Sequence, residues 1–140
     1  MTVRAVSISL KIPDNTAYTA LVTLRRLGVA VERVERSEIH VFDDDGDADA
    51  LVVRIETDET IFNPNKHRLI LLDGEAPRLG EVWVEPIVRP KGEGGRAAEA
   101  WRLFDKAGAP VGPSVLAAAT ERLLCNPAIE RAVTIDERSA

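Results

Sequence analysis

Apolar and polar residues alternate near the start of the chain, in the run Val6-Ser7-Ile8-Ser9-Leu10. A period of two is typical of a half-buried β-strand, and we predict a first strand over residues 3–12. Asp14 can then accept hydrogen bonds from the free N–H groups of a helix start, and Gly28 ends that helix. The apolar residues between them are spaced three or four apart and share one helix face: Ala17, Leu21, Leu24 and Leu27.

The rest of the first half is predicted to consist of extended segments. Residues 31–42 form a second strand, the acidic residues 43–46 form a turn, and the β-branched run 51–55 returns as a hairpin partner. Asn63-Pro64 and another strand over 68–72 follow. A connector rich in Gly and Pro then leads to a new strand over 82–88.

The second half repeats parts of this pattern. A second helix is predicted over 97–108. The residues of its apolar face and its final glycine each lie the same number of positions beyond their equivalents in the first helix, and we call this separation, from Leu21 to Trp101, the helix offset. These residues are Ala97, Trp101, Phe104, Ala107 and Gly108. Gly112-Pro113-Ser114 starts a third helix, which leads to Asn126-Pro127 and a strand over 131–135. The two Asn-Pro pairs are separated by fewer positions than the helix offset, and we call this separation, from Asn63 to Asn126, the loop offset.

These correspondences indicate an internal duplication. We divide the chain into a first repeat, 1–73, a linker, 74–79, and a second repeat, 80–136, which form one compact pseudo-symmetric unit. The second repeat is the shorter, and we interpret the missing piece as the hairpin. The fold class expected is α+β: tandem β-α-β repeats whose antiparallel sheet or sheets pack against the helices.

Composition and charge narrow the range of partners. The chain has 140 residues, a net charge of −5 and a pI of about 5.1, which disfavours nucleic acid and anionic lipid. No apolar run approaches the length of about 18–20 residues that spans a bilayer. The start lacks the apolar segment of a secretory signal, and Cys125 is the single cysteine. We expect a cytoplasmic protein without cofactor or metal, whose partner is a protein or a small molecule.

Two stretches of the chain resemble a known family. The segment Glu121-Arg122-Leu123-Leu124-Cys125-Asn126-Pro127-Ala128-Ile129-Glu130 is similar to the closing motif of PurS, the small subunit of phosphoribosylformylglycinamidine synthase. Residues 6–11, the helix that ends at Leu27-Gly28, and Val31-Glu32-Arg33-Val34 resemble the first strand, helix and second strand of that family. The resemblance covers residues 3–72 and 80–136, and the closing motif is its specific part.

The resemblance implies an accessory role without catalysis. PurS subunits are about half this length and pair as dimers, so the chain resembles a dimer fused into one polypeptide. Such subunits bridge a synthetase and a glutaminase in purine biosynthesis, and these two proteins are the partners implied, with further homo-association open. The partner contacts implied are Asn63, Pro64, Asn126, Pro127, Ile129 and Glu130. Ser37-Glu38 departs from the Gly-Lys that the family usually carries.

Other residues could carry chemistry, and each also has a structural explanation. His40 and His67 lack the neighbours of a triad or a metal site, and we expect surface or edge positions for them. The acidic residues Asp43, Asp45 and Asp47 fit a solvated turn better than a calcium loop, because Arg54 stands where the closing Glu belongs. The sequence displays no catalytic constellation.

Two further features suggest binding. The stretch that contains Lys91, Gly94, Gly95 and Arg96 could hold an anion on free backbone N–H groups. A small regulatory domain that binds an anionic metabolite is therefore the alternative function. Trp101 is expected in the core, whereas Trp83 alternates with Val82 and Val84, so it could face outward as a partner anchor.

Overall fold

The computed structural model describes residues 3–43, 46–72, 76–87 and 96–135. Within them lie six strands and three helices, so the α+β class is confirmed. The elements in chain order are β1 Val3–Leu10, α1 Asn15–Arg26, β2 Arg33–Asp43, α2 Ala48–Glu56, β3 His67–Leu71, β4 Glu81–Pro86, β5 Arg96–Phe104, α3 Pro113–Ala119 with a π-helical turn Thr120–Leu124, and β6 Glu130–Val133.

The six strands form one antiparallel sheet in the order β3-β1-β2-β5-β4-β6. At its centre β2 pairs with β5 from Arg33 opposite Phe104 to His40 opposite Arg96. On its other side β2 pairs with β1, which pairs with the edge strand β3. In the same way β5 pairs with β4, which pairs with the edge strand β6. The strands β1 to β3 therefore occupy one half of the sheet, and β4 to β6 occupy the other half.

The helices pack on one face of the sheet over two apolar clusters. Leu24 of α1 and Leu116 of α3 lie in the larger cluster, on residues of β4 and β5 that include Val82 and Leu103. Leu51 and Ile55 of α2 lie in the smaller cluster, against Val6, Ile8 and Phe62. Since each helix presents buried residues one turn apart, amphipathic spacing accounts for both contacts.

A third apolar cluster lies on the opposite face of the sheet. Its buried members come from five strands: Ala5, Ile39, Trp83, Ala98, Ala100 and Val133. Three of these six are alanines, and Trp83 is opposite Ala100 in the β4–β5 ladder. The indole of Trp83, which is only 1% exposed, thus lies between Ala100 of β5 and Val133 of β6.

Residues 51–55 are helical, so the predicted hairpin partner is wrong. Asp47 caps α2 by accepting a hydrogen bond from the Asp49 N–H at 3.1 Å. Leu51 and Ile55, four residues apart, are buried, whereas Val53 is 59% exposed. A short β-branched run does not distinguish a strand from a helix by period alone, and the cap and the buried helix face decide here. The explanation of the shorter second repeat by a missing hairpin is therefore also wrong.

Residues 97–108 are not a helix, because their first part is strand β5. Ala98 and Ala100 point to one face of the sheet, while Trp101 and Leu103 belong to the cluster under the helices. A strand buried on both faces has a nearly continuous apolar sequence, in which helical spacing occurs by chance. Trp101 is buried as expected, but the correspondence with α1 at the helix offset is wrong.

The remaining elements confirm the predictions from the sequence. They are the predicted strands that correspond to β1, β2, β3, β4 and β6, the first helix with its Asp14 cap, and the helix after Gly112. Residue 88, the end predicted for the strand over 82–88, lies outside the described residues. Positive φ at Gly28 agrees with the predicted end of α1. No helix of the described residues has the length and apolarity needed to cross a membrane.

Two substitutions in α2 distinguish a helix from a strand. Leu51→Ala should lower the free energy of unfolding by about 2–5 kcal/mol, because it leaves a cavity beneath the helix. Val53→Ala should change it by less than about 0.5 kcal/mol or stabilise slightly, since alanine favours a helix and the side chain is exposed. Urea denaturation measures both, and a clear loss of stability in Val53→Ala would contradict the helix.

Candidate functional site

A groove of about 520 Å³ lies between α3 and the edge strand β6. Its apolar lining includes Val111, Leu116 and Ala132. Polar lining residues are Arg78, Glu81, Thr120, Glu121, Cys125, Glu130 and Thr134. The volume is within the range of about 300–1,000 Å³ typical of ligand pockets.

One residue of the lining, Glu81 at the start of β4, carries a buried carboxylate. Glu81 is 1% exposed. Its Oε1 accepts hydrogen bonds from the Arg78 backbone N–H at 2.9 Å and from the Trp83 indole N–H at 3.1 Å. Its Oε2 accepts from the Arg78 guanidinium at 2.8 Å. The buried charge is thus paired and hydrogen-bonded, as a carboxylate in this position requires.

A glycine fixes the turn that carries Arg78 and Glu81. Gly80 has a φ of +71°, a conformation that other residues adopt rarely. A Cβ at this position would come within 2.7 Å of the Pro110 Cβ and 3.0 Å of the Leu103 carbonyl oxygen. The backbone of the turn therefore packs against β5 and the segment after it, which holds Glu81 at the start of β4.

Cys125 follows the π-helical turn and is half-buried. Burial raises the pKa of its thiol above the ordinary value of 9.0, and the Glu130 carboxylate raises it further. The thiolate is the nucleophilic form, so Cys125 is poorly suited to nucleophilic catalysis at neutral pH.

Asn126 organises the loop between the π-helical turn and β6. Its side-chain oxygen accepts from the Ala128 N–H at 3.1 Å, and its carbonyl accepts from the N–H groups of Ile129 and Glu130. The Asn126 N–H donates to Glu130 Oε1 at 2.9 Å. Pro127 lines the groove, whereas Ile129 is 63% exposed.

The loop at Asn63 has the same hydrogen bonds. The Asn63 side-chain oxygen accepts from the Asn65 N–H, and its carbonyl accepts from the N–H groups of Lys66 and His67. The Asn63 N–H donates to His67 Nδ1 at 2.9 Å. Every described non-glycine residue has negative φ, so these asparagines act as side-chain acceptors and do not adopt the left-handed conformation. Pro64 accepts from Lys11 Nζ through its carbonyl.

Both Trp83 and His40 are buried, contrary to the predictions. Trp83 lies in the cluster on the sheet face opposite the helices, so it is not an outward partner anchor. His40 is 6% exposed on the central strand β2, and its Nε2 lies 3.4 Å from Glu38 Oε2. Period-two alternation does not reveal that both faces of a strand are covered. His67 is half-buried in the Asn63 loop.

The predicted anion-binding stretch is largely outside the described residues. Lys91, Gly94 and Gly95 lie there, and Arg96 begins β5 with a side chain that is also outside them. Of the acidic residues, Asp47 caps α2, Asp43 ends β2, and Asp45 lies outside. Among the described residues, no group of three or more His, Cys, Asp or Glu side chains is arranged to hold a metal ion.

Pro127 and Glu130, two of the predicted partner contacts, line the groove. Arg78 lies in the predicted connector, and no sequence motif singles out Glu81, Thr120 or Thr134. The usable signal was Glu81-Val82-Trp83-Val84-Glu85, in which two acidic residues flank a tryptophan on one strand face. Comparisons with protein-family models, curated proteins and solved structures find no match to this chain.

Removing the partner of the buried carboxylate should destabilise the fold. Arg78→Met leaves the Glu81 carboxylate without its cation, and the free energy of unfolding should fall by about 2–4 kcal/mol. Arg25→Met is the matched control, because Arg25 pairs with Glu32 at the surface and its loss should cost less than about 1 kcal/mol. Equal losses in chemical denaturation would contradict the role of Arg78.

Cys125 should react slowly with iodoacetamide. At pH 8 we expect a slower rate than for the same cysteine in urea, because the raised pKa lowers the thiolate fraction. The rate should rise about tenfold per pH unit up to pH 9. Glu130→Gln should increase it, since a negative charge near the thiolate is removed. A plateau below pH 8 would contradict the raised pKa.

Proposed function

We propose that this chain is a PurS-like fused dimer that acts through protein contacts as a non-catalytic subunit of an amidotransferase complex. The observation that carries the proposal is the strand order β3-β1-β2-β5-β4-β6. From either edge of the sheet to its centre, the strands follow the same order: the third, the first and then the second strand of one half. Two equal units that pair through their second strands produce this order, which is the arrangement expected of an isologous dimer.

The spacing along the chain supports the same interpretation. The strands β2 and β5 begin at Arg33 and Arg96, and β3 and β6 begin at His67 and Glu130. Both pairs are separated by the loop offset, and the two Asn-Pro loops also share their hydrogen bonds. Ser37 pairs with Ala100, its counterpart at the loop offset, so the pseudo-twofold axis would pass through the middle of the β2–β5 ladder.

The two proposed repeats differ in the connection between their first two strands. In the first repeat, residues 11–32 connect β1 to β2 and include α1, whereas residues 87–95 connect β4 to β5. The second of these connections is shorter than α1 alone, which has 12 residues. The second repeat is therefore shorter at the position of the first helix.

Exposed apolar residues at one end of β4 and β6 suggest where a partner binds. Ile129 of the closing motif is 63% exposed, and Ile87 is 57% exposed. They are adjacent, because the Ile87 N–H donates to the Ile129 carbonyl at 3.0 Å. The counterpart of Ile129 in the first repeat is Lys66, so this apolar pair belongs to one half alone. We assign it to the contact with a synthetase or glutaminase subunit.

Reconstitution with the synthetase and glutaminase of the same organism tests this function. A bridging subunit should raise the glutamine-dependent rate of formylglycinamidine ribonucleotide synthesis by at least about tenfold. The rate with free ammonia should change little, because ammonia does not need to pass from the glutaminase. Size-exclusion chromatography should show the three proteins in one complex.

Substitution of the apolar pair provides the control. Ile129→Glu should weaken assembly by about tenfold or more, since it places a charge in the contact. Val53→Glu should leave assembly unchanged, because Val53 is equally exposed on α2 of the other half. A complete glutamine-dependent enzyme that neither needs nor binds the chain would overturn the proposal.

A further inference from the structure

The cores under α2 and α3 are filled differently. Under α2, Phe62 is 5% exposed and belongs to an apolar cluster with Leu51 and Ile55. Leu69 and Leu71 of β3 pack against the same cluster. The corresponding space under α3 holds the groove of about 520 Å³.

The loop offset relates the Asn-Pro loops of the two halves and the edge strands β3 and β6 that follow them. Counted from the matching Asn63 and Asn126 loops, Phe62 corresponds to Cys125, Leu69 to Ala132 and Leu71 to Thr134. Each of these three large side chains of the first core is replaced by a small one in the second. All three small residues line the groove. The groove is therefore the space that a phenyl ring and two isobutyl groups occupy in the other half.

Replacement of large core residues by small ones destabilises the fold unless something else fills the space. Changing a buried Phe or Leu to a small residue removes apolar contacts and destabilises a core that cannot collapse. Here α3 and β6 do not close over the space, and the groove keeps an apolar floor with polar groups of Thr134 and Cys125 in its lining. A cavity of this size with a few polar groups is typical of a ligand site.

The charges of the lining indicate which ligand would fit. Glu121 and Glu130 contribute carboxylates, and neither forms an ion pair with another residue in the described part of the chain. The Arg78 guanidinium is bound to the Glu81 carboxylate. The lining thus carries a net negative charge that favours a cation and disfavours an anion.

We propose that this groove binds a small organic cation with an aromatic or branched aliphatic body and an amine head group. The body would occupy the space that Phe62, Leu69 and Leu71 fill in the other core. The ammonium group would lie near the carboxylates of Glu121 and Glu130. This site does not depend on the proposed role in an amidotransferase complex.

Two small molecules of similar shape and opposite charge test the site. The ¹⁵N-labelled chain is titrated with 2-phenylethylamine and, separately, with phenylacetate, and amide chemical shifts are followed. We expect millimolar affinity for the amine, as is usual for a ligand of about ten non-hydrogen atoms. Shifts should centre on Cys125, Ala132 and Thr134 and spare their counterparts at 62, 69 and 71. Phenylacetate should bind at least about tenfold more weakly.

Substitutions that place the large residues of the first core at the matching positions of the second core should fill the groove. Cys125→Phe and Thr134→Leu should each lower affinity for the amine by about tenfold or more, and two variants guard against one that fails to fold. The double variant Glu121→Gln, Glu130→Gln should reduce the preference for the amine to less than about threefold. Absent or scattered shifts, equal binding of both probes, or unchanged binding by the folded groove-filling variants would overturn the proposal.

Discussion

The pairing of β2 with β5 joins the two halves of the sheet, and the other packing depends on it. No other ladder of the described strands connects β1, β2 or β3 to the later strands. Its centre places Ser37 opposite Ala100, both buried on the face that lacks helices. Trp83 of β4 lies opposite Ala100 in the next ladder, so a larger residue at position 100 would collide with this indole or separate the strands.

The burial of Trp83 determines the polar chemistry nearby. A buried indole N–H needs an acceptor, and Glu81 Oε1 supplies it. A buried carboxylate in turn needs a cation and further donors, which Arg78 provides through its guanidinium and its backbone N–H. The turn at Gly80 keeps these two residues close. One tight packing requirement in the sheet therefore leads, residue by residue, to the ion pair of Arg78 and Glu81, two residues of the groove lining.

The local patterns of the sequence predict much of the fold but not its two misassigned segments. Alternation at Val6 to Leu10 and the cap at Asp14 identify β1 and α1, because each depends on neighbouring residues only. The identity of β5 depends on burial of both faces, and that burial is supplied by strands distant in sequence. The run 51–55 is ambiguous for the same reason, since α2 forms where Phe62 and β1 cover its apolar face.

The groove was beyond prediction because its lining comes from four separate segments around residues 78–81, 111–121, 125–130 and 132–135. No local spacing joins Arg78 to Thr134. The matching Asn-Pro loops at Asn63 and Asn126 did reveal the loop offset, but the larger helix offset led to a wrong alignment of α1 with β5. The two loops share their hydrogen bonds at the loop offset, whereas no such shared contact exists at the helix offset between the described residues of α1 and β5.

Fusion of two repeats in one chain, as proposed, also changes what each half can do. In a dimer of identical subunits, any residue near the axis meets its own copy, and like charges would face each other there. In this chain Arg36 lies 3.8 Å from Glu99, its counterpart at the loop offset, and the two form an ion pair across the proposed axis. Arg36 also binds Asp14, the cap of α1, a helix longer than the whole connection between β4 and β5 in the other half. Once the halves differ in this way, the core under α2 can remain filled for stability, while the core under α3 is free to open as a binding groove.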